Sequence, residues 1–550
     1  MKKKALAFAA AACAFGMLLS GCGSSNGGST ADKGSNVITA YNSEPQNPLI
    51  PGDCNETGGG KPLDLLFARL ISFDAKGNAS NEVAESIEAN DNATQYTIKL
   101  KDGWKFTDGT PVTAESFTKA WSYTANAKNA QLGSSFFSTI KGYDALQDGD
   151  KLKGDEQLEG LKVVNDKEFT VDLNQSDSVF AIKVGYTAFA PLPESFFKDP
   201  KAFGEKPVGN GPYKFQSWDH DNQIVLVKNP DYKGNRVPKN DGVTFKVYTK
   251  DEAAYADIQS GSLDVMESVP ASATKTFEKD STVQAYNKAG SVIQQFTIPS
   301  NVKHFEAGTE EGTLRRQAIS MAINRQNICD KVLNGTGTPA ADFTSPLTPG
   351  YSDSLTGSDN LKYNEKKAKE LWDKANAISP WTADDKLTFA YNADGGHEVI
   401  YTAVVNSINN VLGDGVAATN PYPTFNDFRT AVSDRKVNGA FRSGWQPDYP
   451  SAENYLMQNF ASSAADGNGS NDGDYKNSKF DDLCNQAAAS KTTDDANKLY
   501  QKAQEVLLND LPAVPLYYAN AYGVASTGVS GFEMNWQNLP VYENMTKSGK

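Results

Sequence analysis

The chain has 550 residues, and 53 Lys and Arg against 67 Asp and Glu give a formal net charge of −14 at pH 7. This length indicates two or more domains, and 39% hydrophobic residues are ordinary for a globular protein. Because binding to nucleic-acid phosphates depends on concentrated positive charge, the acidic composition argues against a nucleic-acid partner. Three His and five Cys leave little material for a multi-ligand metal or iron–sulfur site, so we expect no metal and no cofactor.

The first 36 residues have the pattern of an export signal followed by a tether. Lys2–Lys4 is basic, and residues 5–19 are apolar but too few to span a membrane comfortably. The Leu-Ser-Gly-Cys run that ends at Cys22 resembles the lipobox of bacterial lipoproteins. It implies removal of residues 1–21 and lipid on Cys22, which would hold the protein on the outer face of a lipid bilayer. The alternative is an ordinary secretion signal with a coincidental Cys. Residues 22–36, rich in Gly and Ser, are typical of a flexible tether.

Three cysteines remain after Cys22 is lipidated and the signal is removed: Cys54, Cys329 and Cys484. At most one disulfide can form among them, and the sequence does not choose among the three pairings. Three buried thiols that act as small apolar residues are equally compatible with the sequence.

Hydrophobic periodicity predicts an alternation of strands and helices along the rest of the chain. In chain order the predicted elements are the strand 37–41, the helix 61–70, the strand 95–100, a helix that begins at Thr113, the strands 223–227 and 243–248, the helices 314–332 and 364–376, the strand 387–391, the helix 398–412, the strand 416–419, the helix 424–432, the strand 439–441 and the helices 478–489 and 493–509. Strands that alternate with short helices in the second half are typical of βαβ units and a mainly parallel sheet. We therefore predict an α/β protein with two lobes.

Motifs of familiar catalytic sites are missing from the sequence. It contains no G-x-x-x-x-G-K-[ST], no H-E-x-x-H and no C-x-x-C. His220, His304 and His397 are far apart, each among polar or turn residues, which favours solvated surface histidines over a catalytic base. The sequence therefore indicates a protein that is not an enzyme.

The segment Phe441–Pro450 is the most suggestive candidate for a binding site. It follows a predicted strand and brings a cation, Arg442, a large aromatic ring, Trp445, and an anion, Asp448, within seven residues. A pocket that holds a zwitterion needs this mixture: a carboxylate for an ammonium, a guanidinium for a carboxylate and an aromatic wall between them. A structural Arg–Asp pair that closes the end of the strand is an equally good explanation.

Several longer motifs resemble one known family. Ala84–Ser86 followed by Tyr96–Phe117 resembles the signature of the family 5 extracellular solute-binding proteins, the oligopeptide, dipeptide and nickel receptors of bacterial ABC importers. Further segments agree in the same order: Pro207–Tyr213 with Lys228–Tyr232, Leu314–Arg325, and Leu499–Tyr517. Together these segments span nearly all of the chain that follows the tether.

The resemblance implies a periplasmic-binding-protein-like fold with an extra inserted domain, in which helices flank mixed sheets. The implied domains are domain I (residues 37–62, 206–290 and 521–550), the inserted domain II (63–205) and domain III (291–520). In this family the ligand is enclosed in a cleft between the lobes by hinge closure.

The resemblance also implies ligand-binding residues. In the peptide-binding members an Asp that follows a Gly-Trp-x-x motif receives the α-ammonium of the peptide, and Asp448 occupies that place. The implied ligand-binding set is Glu56, Arg442, Gly444, Trp445, Gln446, Asp448 and Asn471. Arg442 is implied to meet ligand carboxylates. Pro447 departs from the small or acidic residue typical of the family and stiffens the loop.

The implied function is that of a lipid-anchored, monomeric receptor that captures oligopeptides and delivers them to the permease subunits of an ABC transporter. Within the family the alternatives are a nickel chelate, haem, an opine or an oligosaccharide. The scarcity of His argues against direct metal ligation, and Arg442 with Asp448 favours a zwitterion over a neutral sugar. From a different class, a lipid-anchored surface hydrolase would need a nucleophile or an acid–base set, which we do not find.

Overall fold

A computed structural model describes residues 36–54, 56–270, 272–393, 397–423, 425–467 and 469–547. The predicted signal peptide, Cys22 and nearly all of the tether lie outside these residues. Within the described ranges, no helix combines the length and the apolar character that crossing a membrane requires.

The described residues form strands and helices throughout the chain. The strands are β1 (Val37–Asn42), β2 (Ile71–Phe73), β3 (Ala79–Asn81), β4 (Ala84–Ala89), β5 (Gln95–Leu100), β6 (Leu161–Asn165), β7 (Glu168–Asp172), β8 (Tyr213–Asp219), β9 (Gln223–Lys228), β10 (Gly242–Val247), β11 (Val265–Met266), β12 (Val283–Thr297), β13 (Gly337–Pro339), β14 (Leu387–Asn392), β15 (Ala417–Tyr422), β16 (Ala440–Trp445), β17 (Ala513–Ser526), β18 (Val529–Ser530) and β19 (Thr546–Lys547). The helices are α1 (Thr57–Leu66), α2 (Ala114–Ala125), α3 (Phe180–Lys183), α4 (Glu194–Lys198), α5 (Pro200–Glu205), α6 (Asp251–Ser260), α7 (Glu310–Met321), α8 (Arg325–Asn327), α9 (Glu365–Ile378), α10 (Glu398–Leu412), α11 (Phe425–Ser433), α12 (Ala452–Phe460), α13 (Ser478–Ala488) and α14 (Thr493–Asp510).

One large mixed sheet runs through the molecule in the order β15-β14-β16-β12-β17-β11-β1-β10-β9-β8, and β13 pairs with β17 beside it. A separate four-stranded antiparallel sheet has the order β4-β5-β7-β6, and two hairpin-like pairs, β2-β3 and β18-β19, complete the strands. The predicted α/β class with mixed sheets and flanking helices is confirmed.

Two large hydrophobic cores divide the protein into two lobes. The first core takes its buried residues from 38–265 and 525–545, and the second takes them from 296–517 together with Val179. We call residues 36–290 and 521–547 the first lobe, residues 291–520 the second lobe, and residues 63–205 within the first lobe the middle segment. The domain boundaries themselves stay predictions.

The long strands β12 and β17 connect the lobes. They pair antiparallel from Val283 opposite Ser526 to Thr297 opposite Ala513, with breaks in register between Ala289 and Ile293 and between Gln294 and Gln295. A β-bulge bends the strand that carries it. The first of these breaks lies where the sheet passes from one lobe to the other.

Two predicted helices differ from the observed ones for local reasons. The helix predicted at 61–70 begins earlier, at Thr57, because the Glu56 side chain accepts hydrogen bonds from the backbone of Gly58 and Gly59 and caps the helix there. The single helix predicted at 314–332 is interrupted, because the Asn324 side chain accepts from the Asn327 backbone N–H and starts a new helical segment.

The sheet of the second lobe is mixed rather than mainly parallel. β14 pairs in parallel with β15 and β16, as predicted, but β12 is antiparallel to both β16 and β17. The predicted strand 439–441 is also longer than expected. Pairing with β12 extends it to Trp445, so that Arg442–Trp445 belong to a strand and not to a loop.

Cys54, Cys329 and Cys484 are free thiols, so the structure contains none of the three possible disulfides among them. Cys329 and Cys484 are buried, and burial raises the pKa of the Cys329 thiol to about 12. These cysteines thus pack as small apolar side chains.

A buried acid in the second lobe predicts a pH dependence of stability. Asp342 is fully buried, and desolvation raises its pKa from 3.8 to about 7. Because the folded state holds this proton more tightly than the unfolded state, the stabilising contribution is complete below the unfolded pKa and is lost as pH rises through the folded pKa. Between about pH 5 and about pH 8 we expect a loss on the order of 2 kcal/mol from this group. Asp342→Asn should lessen the fall in Tm over that range, while Asp353→Asn, at an exposed position of the same segment, should leave it unchanged.

Candidate functional site

Three cavities converge on the segment Gly444–Asp448. Cavity A, of about 400 Å³, lies on the second lobe beside Arg442 and Asn471. Cavity B, of about 330 Å³, lies between the lobes and is lined by Glu56 and Asp448. Cavity C, of about 570 Å³, separates the middle segment from the second lobe and is also lined by Asp448. Six of the seven predicted ligand-binding residues belong to the second-lobe side of this region.

The strand β16 presents a free backbone edge to cavity A. It pairs with β12 from Phe441 to Trp445, whereas β14 pairs with it only at Ala440 and Phe441. Along Arg442–Trp445, no described strand pairs with β16 on the β14 side. A Cβ atom on Gly444 would lie 2.7 Å from the Ile293 carbonyl oxygen, so glycine permits the close approach of β16 to β12. An extended chain could therefore add to this edge.

Asp448 is a partly buried carboxylate with one polar side-chain contact. Its Oδ2 accepts a hydrogen bond from Asn454 Nδ2 at 3.2 Å, and it forms no ion pair with a basic side chain of the described residues. Burial raises its pKa above the ordinary value of 3.8. A desolvated carboxylate at the junction of two cavities is suited to receive an ammonium group.

Asn454, which the sequence analysis did not single out, positions both Asp448 and Trp445. It is 1% exposed, and its Oδ1 accepts hydrogen bonds from Trp445 Nε1 at 2.8 Å and from the Asp448 backbone N–H at 3.1 Å. Its position three residues after Ser451, which caps α12, is the only sequence signal, and that signal says nothing about its partners.

Arg442 lines cavity A without an acidic partner. Among the described residues no carboxylate forms an ion pair with it, and its buried Nε has no hydrogen-bond acceptor. Burial raises the pKa of the Tyr401 and Tyr517 hydroxyls, and the nearby Arg442 charge opposes that rise. Arg442 and Asp448 do not pair with each other, so the structural Arg–Asp pair considered for this segment is wrong. Both charges are available to a ligand.

Glu56 and Asn471 lie at the cavities, but their side chains are engaged by the protein. Glu56 lines cavity B, and its two carboxylate oxygens cap the first turn of α1. Asn471 lines cavity A, and its amide bonds to the backbone of Ala461 at 3.0 Å and of Tyr475 at 2.8 and 3.1 Å. These two residues shape the walls of the site.

The remaining predicted residues face the open space. Gln446 is exposed and lines cavities A and B, while Trp445 lines cavities A and C. The Cys54 thiol lines cavity B, where burial raises its pKa to about 12. The site therefore combines an unpaired carboxylate, Asp448, an unpaired guanidinium, Arg442, an indole and a free strand edge.

One histidine departs from the expectation of a solvated surface residue. His304 is 6% exposed, and its ring nitrogens lie 2.7 Å from Glu311 Oε1 and 3.3 Å from Asp385 Oδ1. Within the described ranges, no group of three or more His, Cys, Asp or Glu side chains is arranged to hold a metal ion.

Two lobes joined by a strand pair, with a cleft that carries unpaired charges of both signs, define a solute-binding protein. The family model described as bacterial extracellular solute-binding proteins, family 5 middle, matches residues 78–467. The chain belongs to this family.

Comparisons with individual proteins agree with this membership. The chain is 26% identical over 539 residues to the oligopeptide-binding protein OppA of Bacillus subtilis, an alignment that covers 95% of this chain and 94% of that protein. It is 27% identical over 479 residues to the dipeptide-binding protein DppE of the same organism, covering 86% and 84% of the two chains. The unliganded open form of the periplasmic murein tripeptide-binding protein MppA has the same fold, with a TM-score of 0.81, 23% identity, and coverage of 94% of this chain and 98% of that one.

Proposed function

We propose that the protein captures short peptides in the cleft between its lobes and delivers them to the permease of an ABC importer. The observation that carries the proposal is the placement of two unpaired, partly buried charges, Arg442 on the free edge of β16 and Asp448 three residues after the end of that strand. The peptide ammonium would bind Asp448, and its backbone would pair with Gly444–Gln446. The relatives named for oligopeptides and dipeptides support the same ligand class.

This mode of binding is tolerant of sequence. A receptor that recognises the termini and the backbone leaves the side chains to the cavities, where water adapts to their differences. Cavities A, B and C provide about 400, 330 and 570 Å³ for this purpose. The proposed activity is capture and release of one peptide, without a chemical step on the ligand.

Native mass spectrometry of the purified protein, followed by mild denaturation, tests this proposal. Receptors that enclose their ligand can retain it, and release of a ladder of short peptides would support peptide capture. A single chelate, haem, opine or sugar mass would instead assign the protein to another ligand class of the same family. An empty protein would next be titrated with a tripeptide pool, and failure to bind the pool would contradict the proposal.

Arg442 is expected to bind the C-terminal carboxylate of the peptide ligand. Arg442→Gln should weaken binding of the free acid Ala-Ala-Ala by about 1.5–3 kcal/mol, because a charge-assisted hydrogen bond is lost. Binding of the C-terminal amide of the same peptide should change little. Isothermal titration calorimetry of both peptides against both proteins measures the difference, and an equal loss for acid and amide would remove Arg442 from this role.

We further propose that lipid on Cys22 holds the receptor at the outer face of the cell membrane as a monomer. The supporting observation is the Leu-Ser-Gly-Cys run that ends at Cys22, since several acyl chains give stable anchoring. Cys22→Ala is expected to move the protein from the membrane fraction to the soluble exported fraction. Fractionation and labelling with a palmitate analogue measure this change, and retention of the variant in membranes would argue for another anchor.

A further inference from the structure

A buried charged cluster joins the middle segment to the second lobe beside Asp448. The Lys183 ammonium lies 2.8 Å from Asp177 Oδ2 in its own segment and 3.8 Å from Glu453 Oε1 across the boundary. It also lies 5.5 Å from the ring centroid of Tyr449, whose hydroxyl donates a hydrogen bond to Glu453. The side chains of Lys183, Asp177 and Glu453 are 12%, 6% and 13% exposed, so the ion pair is well shielded from water.

The residues around this cluster form a packed interface between the middle segment and the second lobe. Ser178 donates two hydrogen bonds to the end of α13, from its backbone N–H to the Ala488 carbonyl at 2.8 Å and from its hydroxyl to the Ala487 carbonyl at 2.7 Å. Val179, from the middle segment, is 2% exposed and belongs to the hydrophobic core of the second lobe. Lys183 and Glu453 therefore meet at a packed boundary between the middle segment and the second lobe.

The interlobe contact and the proposed amine anchor share the first turn of α12. Glu453 contacts Lys183, and the next residue, Asn454, donates a hydrogen bond to Asp448. Lys183 and Asp448 also line the same cavity, C. Glu453 lines this cavity as well, so a change of charge at Asp448 acts on Glu453.

The charges in this cluster do not balance without a ligand. Asp177, Glu453 and Asp448 bring three carboxylates to a single ammonium, that of Lys183. Burial raises the pKa of Glu453, Lys183 opposes the rise, and the charges of Asp177 and Asp448 add to it. A second cation at Asp448 would remove part of this repulsion.

We propose that Glu453 and Lys183 form a closing contact between the lobes that strengthens when an ammonium group occupies Asp448. This inference rests on the proposed function, since it requires Asp448 to hold the ligand amine. The ammonium offsets the Asp448 charge, so an ionised Glu453 is repelled less and its attraction to Lys183 is stronger. Glu453 and Lys183 are then positioning residues that favour the closed, ligand-bound form, and the coupling acts equally in both directions.

The groups that face Glu453 limit where the released proton can come from. They are Lys183 and Asp177 of the middle segment, Asp448 and Tyr449 before α12, Cys484 of α13 and Tyr500 of α14. Burial raises the pKa of Cys484, Tyr449 and Tyr500, so these three groups stay neutral near neutral pH. Asp448 and Glu453 are therefore the two groups from which binding can release a proton, and a Glu453 variant separates them.

Calorimetry of Ala-Ala-Ala binding at about pH 5.5, in two buffers of different ionisation enthalpy, tests the inference. The wild type is expected to release a measurable fraction of a proton, and Glu453→Gln is expected to release less, with Asp448 as the remaining source. Lys183→Met should weaken binding about tenfold, and Lys183→Arg should restore most of the loss. Equal proton release by the wild type and Glu453→Gln, with binding intact, would overturn the inference.

A second pair across the same interface supplies the matched control. Lys491 and Asp91 lie 2.8 Å apart, but their side chains are 66% and 95% exposed, so Lys491→Met should leave affinity and proton release unchanged. Thermal unfolding of each variant checks that the lobes remain folded. Failure of the wild type to bind Ala-Ala-Ala or a tripeptide pool would instead contradict peptide capture, and the inference with it.

Discussion

An Asp448→Ala variant is expected to lose about 2–5 kcal/mol of affinity for a free-amine tripeptide such as Ala-Ala-Ala. The reason is that the ligand ammonium would enter the cleft and find no charged partner. Asp448 is partly buried, and its side chain receives one hydrogen bond, from Asn454. Isothermal titration calorimetry of the wild type and the variant measures the loss.

Two controls separate the charge of Asp448 from its shape. Asp448→Asn keeps the size of the side chain and should lose nearly as much affinity, because the anion is what binds the ammonium. Asp472→Ala, in cavity A, removes a carboxylate that is already paired with Arg429 at 2.9 Å and should lose far less. Unchanged affinity of Asp448→Ala for the free-amine peptide would exclude Asp448 from the site.

The fold could be predicted from the sequence where local patterns and tertiary contacts agree. The helix predicted at 364–376 is found as Glu365–Ile378, with Asn364 as its N-cap, because the apolar periodicity and the cap residue indicate the same boundary. The sequence pattern indicated the four-stranded sheet of the middle segment less clearly. Its strand β6 is exposed along most of its length, so it lacks the alternation that predicts a half-buried strand.

The candidate site could be predicted only in part, because its geometry depends on residues that are distant in sequence. The segment with Arg442, Trp445 and Asp448 was found from its residue types and from its resemblance to a family motif. The sequence analysis did not predict that the strand continues into this segment, because a run of Ser, Gly and Pro is typical of a loop. Only pairing with β12, about 150 residues earlier in the chain, makes this segment a strand. The role of Asn454 was missed for the same reason. Its partners, Trp445 and the Asp448 backbone, approach it only because the segment before α12 turns back toward that helix.

The charges of the motif Leu314–Arg325 show a further limit of sequence patterns. A pattern of apolar positions predicts that the charged residues of an amphipathic helix face solvent. Arg315 and Arg316 are instead 0% and 1% exposed, and Arg325 is 4% exposed. Their long side chains can be buried because each guanidinium finds acceptors within reach, which the pattern of residue types does not reveal. Arg316 and Arg325 donate mainly to backbone carbonyl oxygens, whereas Arg315 pairs with the Glu311 carboxylate.

Arg316→Met is accordingly expected to destabilise the second lobe by at least about 4 kcal/mol, because several buried carbonyl groups lose their donor at once. The guanidinium donates to the carbonyl oxygens of Phe305 at 2.6 and 2.9 Å, Ile298 at 2.9 Å, Pro299 and Leu511 at 3.0 Å, and Pro512 at 3.5 Å. Burial lowers its pKa to about 10, so it remains charged at neutral pH. Thermal and urea unfolding measure the loss.

The neighbouring Gln317 provides the control for this change. Gln317 lies on the same helix as Arg316, and Gln317→Met removes one hydrogen bond, to the Asn509 carbonyl of α14 at 2.8 Å. This change should cost about 1 kcal/mol or less. Arg316→Lys should resemble Arg316→Met more than the wild type, because an ammonium has three donors and cannot span five carbonyl groups. Since Pro512 also lines cavity A, Arg316→Met should in addition weaken peptide binding below its unfolding temperature. Arg316 donates to carbonyl groups that follow the end of β12 and the end of α14. If Arg316→Met is as stable as Gln317→Met, water must replace the guanidinium at these carbonyl groups. The arginine would then not be what holds the two chain segments together.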